Sequence, residues 1–260
     1  RSELFAAGFL TSSSGLTVYR GDAYPADFRG NLFLGEVANN LIFRMKVEPD
    51  GVTFKAERAD PGVEFVASED TWFRPVNFVN APDGTLHLLD MYRETIEHPW
   101  SIPDDIRARL DLRSGEDRGR VYRITPPGFR RRSTPKLGSA STAELVKLLS
   151  HPNAWHRDTA HRLLFERQDR AAVPLLRERL ARGDDPLARL HSLWSLEGMN
   201  ALSDAEILRA IDDPRPEIRE HALRLAEPRL KKSPALVDAV RSRANDDTKR
   251  VVFQAAFTLG

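Results

Sequence analysis

Residues 84–90 read Gly84-Thr-Leu-His-Leu-Leu-Asp90, and the same pattern stands 54 residues earlier as Gly30-Asn-Leu-Phe-Leu-Gly-Glu36. Each stretch is a glycine, an apolar run typical of a strand, and then an acidic residue. A further apolar run follows each of them, Asn40-Leu-Ile-Phe-Arg-Met45 and Gly119-Arg-Val-Tyr-Arg-Ile124, with an Arg before its last apolar residue. A repeat of this length is close to one four-stranded blade of a β-propeller.

Short runs rich in β-branched and aromatic residues continue through the first half, separated by Gly, Pro, Asp and Asn. They predict strands at residues 16–19, 31–34, 41–47, 52–55, 63–67, 76–79, 86–89 and 121–124. We therefore predict that residues 1–125 form about two blades, the C-terminal ones of a propeller, with a helical insertion at residues 93–117. The helix of that insertion is predicted over Ile102–Leu112. Because propellers close with four to eight blades, we expect the chain to be a fragment of a larger protein.

In the second half the apolar period becomes helical. Arg157, Arg189, Arg219 and Arg250 each stand at the start of an apolar helix, at spacings of 30 to 32 residues. This pattern predicts about four HEAT-like helical repeats over residues 141–260, after a Pro- and Arg-rich linker at residues 126–140. We expect each of these arginines to bond the Asp or the carbonyl groups of a neighbouring turn. The predicted fold class is multidomain β + α, a partial β-propeller followed by an α-solenoid.

The amino-acid composition limits the classes of site and function that this chain can have. The chain has 39 Lys and Arg against 38 Asp and Glu and is 41% hydrophobic, as in a folded globular protein. It has no cysteine, which excludes disulfides, thiolate zinc sites and the c-type haem attachment motif from this chain. Basic and acidic residues alternate in the helical half, so nucleic-acid binding is not predicted. No apolar run reaches the length of a transmembrane segment.

The densest group of polar residues surrounds the end of the second repeat. If the segment after Asp90 is helical, Glu94, Glu97 and His98 share one face, a spacing that can bind a cation or relay a proton. The alternative is structural, because an acidic residue after a strand often holds the adjoining loop through main-chain hydrogen bonds. Members of the group are Asp70, Arg74, Asn77, Asp90, Tyr92, Arg93, Glu94, Glu97 and His98. No P-loop, nucleophile elbow or dinucleotide-binding motif is present.

Residues 73–99 and 110–124 resemble the late propeller region of large bacterial proteins described as membrane-bound dehydrogenases. The most specific part is the string Asp90-Met-Tyr-Arg-Glu94, followed by Glu97-His-Pro99. The propeller of that family is similar to that of the quinoprotein glucose/sorbosone dehydrogenases. Residues 149–164, Leu149-Ser-His-Pro-Asn-Ala-Trp-His-Arg-Asp-Thr-Ala-His-Arg-Leu-Leu164, resemble the HEAT-like segment that follows it.

This resemblance implies a periplasmic or cell-envelope sugar or alcohol dehydrogenase that uses pyrroloquinoline quinone (PQQ) and Ca²⁺. It also implies a haem domain, a C-terminal cytochrome c, as electron acceptor, and helical repeats that bind protein partners. The family's general-base His lies in an earlier blade, so we expect the fragment alone to be inactive and assign no catalytic residue. The alternative that stays open is a non-catalytic scaffold for protein or carbohydrate partners. The candidate cofactor contacts are Arg74, Asp90 and Arg93. The candidate metal ligands are Glu94, Glu97 and His98.

Overall fold

The computed structural model describes residues 12–182 and 185–260, which divide into two units. The first unit comprises residues up to 48 together with 55–134, and the second comprises 135–260 together with 49–54. N-terminal antiparallel β-sheets are followed by a C-terminal α-helical region. The order of sheet and helix along the chain is therefore as the sequence predicts.

Two antiparallel sheets make up the N-terminal part. In the first sheet the order is β1-β2-β3-β4 and β5 pairs with β3; its strands are β1 Ser13–Val18, β2 Leu32–Glu36, β3 Leu41–Asp50, β4 Thr53–Arg58 and β5 Val66–Ala67. The second sheet has the order β6-β7-β8, with strands β6 Pro75–Asn80, β7 Leu86–Asp90 and β8 Arg120–Ile124. All eight predicted strands are confirmed. Within the described residues these sheets form no closed propeller.

The sequence repeat is also a repeat of strand register. Arg44 on β3 lies opposite Phe33 on β2, and Arg123 on β8 lies opposite His87 on β7. Because Phe33 and His87 occupy the same place in the two sequence repeats, β2–β3 and β7–β8 are equivalent hairpins. The second sheet differs from the first in that no further strand pairs with its outer strand β8 among the described residues.

The core of this part is aromatic and is tied together by tyrosine hydroxyls. Tyr19 and Phe33 are fully buried, and the rings of Tyr19 and Tyr24 stack at 4.4 Å. The Tyr24 hydroxyl accepts a hydrogen bond from the Leu86 N–H at 3.0 Å and donates one to the Ile124 carbonyl at 2.8 Å. This hydroxyl therefore joins the ends of β7 and β8. Burial raises the pKa of Tyr24, which keeps the donor protonated.

The glycines that begin the two repeats provide a matched pair for mutation. Gly30 and Gly84 have φ of +85° and +87°, a left-handed conformation that favours glycine. A Cβ on Gly84 would lie 2.2 Å from an Asp22 carboxylate oxygen and 2.9 Å from the Ala23 nitrogen, whereas a Cβ on Gly30 meets nothing within 4 Å. We predict that Gly30→Ala costs about 1 kcal/mol of strain and that Gly84→Ala costs about 2 kcal/mol more. Urea unfolding measures both, and equal costs would contradict the packing at Gly84.

The predicted helix in the insertion is wrong in length. The structure has one short helix, α1 Asp104–Arg107, after a 3₁₀ turn at Pro99–Ser101. The next main-chain bonds, from Arg109 to Ile106 and from Leu110 to Arg107, are of the tighter i to i−3 type. Ile106 and Leu110 remain 36% and 38% exposed, so little apolar burial is available to hold a longer helix.

The helical region consists of helices that pack in pairs. Its helices are α2 Thr142–Leu148, α3 Ala154–Arg167, α4 Ala172–Arg182, α5 Pro186–Gly198, α6 Asp204–Ile211, α7 Pro216–Ala226, α8 Pro234–Ser242 and α9 Lys249–Leu259. Consecutive helices contact each other as α2–α3, α4–α5, α6–α7 and α8–α9. Contacts also run from α3 to α5, α7 and α9 in succession. Helices α3, α5, α7 and α9 therefore form one continuous layer, which shares an apolar core with α2, α4, α6 and α8.

The prediction that the repeat arginines bond neighbouring turns is confirmed for Arg157, Arg189 and Arg219, whereas Arg250 pairs with Glu220, which lies within helix α7. Arg189 donates to both carboxylate oxygens of Asp213 at 2.9 Å. Arg219 donates to Asp246 at 2.7 Å and to the carbonyl of Asp213 at 3.1 Å. Further arginines, which the sequence did not single out, also bond groups 24 to 32 residues away; they are Arg167, Arg170, Arg177, Arg179, Arg224, Arg229 and Arg243. The arginines thus fix each helix pair to the next.

Candidate functional site

Asp90 ends β7 and is 3% exposed. One of its carboxylate oxygens accepts the main-chain N–H of Arg74 at 2.8 Å and that of Tyr92 at 2.9 Å. The other accepts the Arg120 Nε–H at 2.7 Å. Both oxygens are therefore engaged within the protein, as expected if Asp90 holds the adjoining loop.

Glu36 has the equivalent position at the end of β2 and is fully buried. Its carboxylate accepts the main-chain N–H of Ser12 at 3.0 Å and that of Ala38 at 3.3 Å. Ser12 comes just before β1 as Arg74 comes just before β6, and Ala38 and Tyr92 each come two residues after the acid. The same main-chain bonds are therefore made twice, which indicates a structural role at each sheet end.

Arg74 is 8% exposed, and its guanidinium binds the main chain. Its Nε donates to the Arg93 carbonyl at 2.9 Å and its Nη2 to the Glu94 carbonyl at 2.8 Å. Its Nη1 donates to the Val37 carbonyl at 2.7 Å. Burial lowers the pKa of Arg74, and the nearby Asp90 opposes that effect. Arg74 therefore connects the loop after β7 to the loop after β2.

Arg120 is the central residue that the sequence analysis missed. It bridges the carboxylates of Asp90 and Asp70, the second at 3.0 Å, and its guanidinium lies 3.9 Å from the centre of the Tyr92 ring. Burial alone would lower the pKa of Arg120, but hydrogen bonds to the two carboxylates outweigh it and raise the pKa. Arg120 lies opposite Asp90 in the β7–β8 register, so alignment of the predicted hairpin would have revealed this pair.

The segment that carries the candidate metal ligands is not helical. Arg74 fixes the carbonyls of Arg93 and Glu94, and Pro99 disfavours a helix at His98. The Arg93 side chain folds back onto the carbonyls of Met91 and Tyr92, and His98 Nδ1 accepts the Trp100 N–H at 3.2 Å. In the described part of the chain no three His, Cys, Asp or Glu side chains are placed to hold a metal ion. The shared face assumed for Glu94, Glu97 and His98 is therefore absent.

A cavity among the described residues of the N-terminal unit lies away from the candidate cofactor and metal residues. It has a volume of about 320 Å³ and is lined mainly by apolar side chains, among them Tyr24, Phe28, Phe65 and Ile124. Its wall is completed by Thr125, Pro126 and Pro127. The candidate cofactor and metal residues do not line it. The only titratable group in its lining, the Tyr24 hydroxyl, is already bonded to the main chain.

A site for PQQ and Ca²⁺ needs particular donor groups and ligands. The quinone carries carboxylates that need free cationic donors, and Ca²⁺ takes six to eight oxygen ligands. The Arg74 guanidinium donates its hydrogen bonds to carbonyl groups, and the Asp90 carboxylate accepts hydrogen bonds from Arg120 and from main-chain N–H groups. The residues present do not fit these groups. Arg74, Asp90 and Arg93 stay predicted cofactor contacts that no contact in the structure supports.

Comparison with known proteins yields one domain match. Among the described residues no helix has the length and apolar character that a bilayer crossing requires. No curated protein and no solved structure significantly matches the chain. Residues 1–128, which include Asp90, Arg74, Arg120 and Asp70 (the Asp90 cluster), match the family model described as a domain of unknown function, DUF7133.

Proposed function

We propose that residues 12–125 are two neighbouring blades of a β-propeller and that residues 141–260 are HEAT-like repeats. The repeated β2–β3 and β7–β8 register supports the first part, since equivalent residues pair in both sheets. Contacts between α3, α5, α7 and α9 support the second part, because each repeat packs on the next.

The function that follows best from the geometry is that of a binding scaffold for protein or carbohydrate partners. One observation carries this proposal: the charged groups at the densest polar cluster bond the chain's own main chain. A catalytic group must meet substrate with a free donor, acceptor or lone pair. Asp90 and Arg74 are instead committed to the loops around them. Such loops are suited to presenting a fixed surface.

The helical repeats suit the same role because arginines hold them together. Arg189 bonds an aspartate of the next turn, and Arg219 bonds both a carbonyl of its own turn and an aspartate of the next. Charge-assisted hydrogen bonds therefore fix the spacing between helix pairs. Stacked repeats create extended surfaces for protein partners. We therefore assign protein binding to the helical region.

The second candidate function is the quinoprotein one. It is supported by the resemblance of residues 73–124 to the sugar dehydrogenase-like propellers and by the blade-like repeat of the two sheets. A longer envelope protein that contains this chain would then supply the quinone site, the Ca²⁺ ligands and the haem acceptor from other residues. In that protein the described part would act as the frame of the propeller.

Calorimetric titration with PQQ and Ca²⁺, followed by a sugar panel and a dye-reduction assay, separates the two functions when it is run both on the purified chain and on a longer protein that contains it. The scaffold proposal predicts no quinone binding and no reduction, and heat with a sugar alone would identify a carbohydrate partner. Saturable quinone binding that Arg74→Lys abolishes at an unchanged melting temperature would contradict the proposal. Arg109→Lys, an exposed change in the insertion, is the matched control.

A further inference from the structure

A hydrogen bond between α5 and α7 fixes the protonation state of a histidine. Trp194 Nε1 on α5 lies 3.1 Å from His221 Nδ1 on α7. An indole nitrogen can only donate, so His221 Nδ1 must accept and must carry no proton. A protonated imidazole has a hydrogen on both ring nitrogens. This hydrogen bond therefore exists only while His221 is neutral.

A second histidine contact lies one interface earlier, between α3 and α5. His161 Nδ1 and His191 Nδ1 are 3.1 Å apart, and the two rings meet edge to face. One of the two nitrogens must donate and the other must accept, so only one of them carries a proton. When both rings are protonated, two N–H groups and two positive charges face each other. Full protonation of the pair therefore breaks this hydrogen bond as well.

The surroundings of the His161–His191 pair oppose its full protonation. Burial lowers the pKa of His161, and Asp158 on the same helix opposes that effect only in part. The Asp158 carboxylate lies 3.9 Å from His191 Nε2, and its side chain is 47% exposed, so water screens its charge. His161 is therefore neutral at pH 7, and the hydrogen bond is intact.

The surroundings of His221 act in the same direction. Burial is again the largest influence and lowers the pKa of His221. Among the described charged groups, Glu220 opposes that effect, whereas Arg224 on α7 and Arg250 on α9 add to it. The Glu220 carboxylate already accepts hydrogen bonds from Arg250 at 3.1 and 3.2 Å. His221 is therefore neutral at pH 7 as well.

We propose that the α3–α5 and α5–α7 interfaces form a pH-sensitive device, in which protonation of His161 and His221 in mild acid loosens the stack of helical repeats. Both histidines have a folded-state pKa below the unfolded value of 6.5, so the unfolded chain takes up their protons first as the pH falls. The stabilisation is complete above that pH and is lost below it. Each repeat packs on the next, so weakening two successive interfaces acts on the whole array. The proposal goes beyond the scaffold function because it needs no partner.

Urea unfolding of the full chain from pH 7.5 to pH 5.0, followed by circular dichroism, tests the proposal. In the wild type, the equilibrium constant for unfolding of the helical unit should rise as the pH falls, by up to about tenfold per pH unit for each histidine. His221→Gln and His161→Gln keep an acceptor and cannot be protonated, so each should reduce this pH dependence. Asp246 does not contribute in this range, because its pKa is about 2.

His98→Gln is the matched control, because His98 is an exposed histidine of the N-terminal unit. This variant should keep the pH dependence of the wild type. The proposal is overturned if the wild type and the glutamine variants at His161 and His221 all show the same pH dependence of unfolding.

Nitrogen-15 NMR of the wild-type chain removes the dependence on variants. At pH 7.5 His221 Nδ1 should carry no proton, and both His161 and His221 should titrate below pH 6.5. The indole N–H signal of Trp194 should shift in step with the titration of His221. The proposal also fails if His221 Nδ1 is protonated at pH 7.5, if either histidine titrates at or above pH 6.5, or if the Trp194 signal does not follow His221.

Discussion

Replacing Asp90 by Ala is expected to lower the free energy of unfolding of the N-terminal unit by about 3–5 kcal/mol. The carboxylate is 3% exposed and compensates the Arg120 guanidinium, so its removal leaves a partly buried cation and two main-chain N–H groups without their acceptor. Asp90→Asn should cost less, because an amide oxygen still accepts one N–H.

Urea unfolding at pH 7, followed by tryptophan fluorescence, measures this loss. Asp70→Asn is the matched control, because Asp70 bonds the same Arg120 but is 39% exposed at its side chain. It is expected to cost much less than Asp90→Ala, because water screens an exposed ion pair. If Asp90→Ala and Asp70→Asn cost the same, Asp90 does not hold the loop and the structural role fails.

Replacing Arg219 by Met is expected to destabilise the helical unit by about 3–5 kcal/mol. The side chains of Arg219 and Asp246 are 9% and 2% exposed, so loss of the cation leaves a buried carboxylate whose remaining ion pair is the longer contact to Arg243 at 3.4 Å. Arg215→Met is the matched control, since Arg215 lies four residues earlier and its pair with Glu217 is exposed. It should change stability by less than about 0.5 kcal/mol. Similar losses in the two variants would contradict a fixed spacing between repeats.

The Arg219 effect should also depend on pH. Burial alone would raise the pKa of Asp246, but hydrogen bonds from Arg219 and from the Thr248 N–H outweigh it and lower the pKa to about 2. Because the unfolded value is about 3.9, the stabilisation is complete above that pH and disappears as the pH falls towards 2. The stability difference between wild type and Arg219→Met should therefore narrow over that range. A constant difference from pH 5 to pH 2 would show that Asp246 is not the partner.

The sequence predicted the strands well because each has apolar β-branched or aromatic residues between clear turn signals. It also gave two opposed roles for Asp90, and main-chain hydrogen bonds favour the structural one. The insertion was not predictable in detail. Its helix is short because Ile106 and Leu110 bury little surface, and burial depends on tertiary contacts that periodicity does not show. The role of Arg120 depends on strand register, which a single sequence specifies only indirectly.

In the helical half, the 31-residue spacing predicted the arginine contacts from a few positions. Arg219 matches that prediction fully, since it bonds both a carbonyl of its own turn and an aspartate of the next. Arginines such as Arg177 and Arg229 were not predicted because they lie outside the repeated helix start. Their partners are close only after the helix pairs have stacked.

Residue-resolved hydrogen exchange at the amides of Arg74 and Tyr92 tests the structural role of Asp90 most directly. Both N–H groups donate to the buried Asp90 carboxylate, so we expect protection from exchange comparable to that of the β7–β8 ladder, and loss of this protection in Asp90→Ala. Exchange of these two amides at the rate of an open loop in the wild-type chain would contradict it. The Asp90 carboxylate would then be available to bind a ligand.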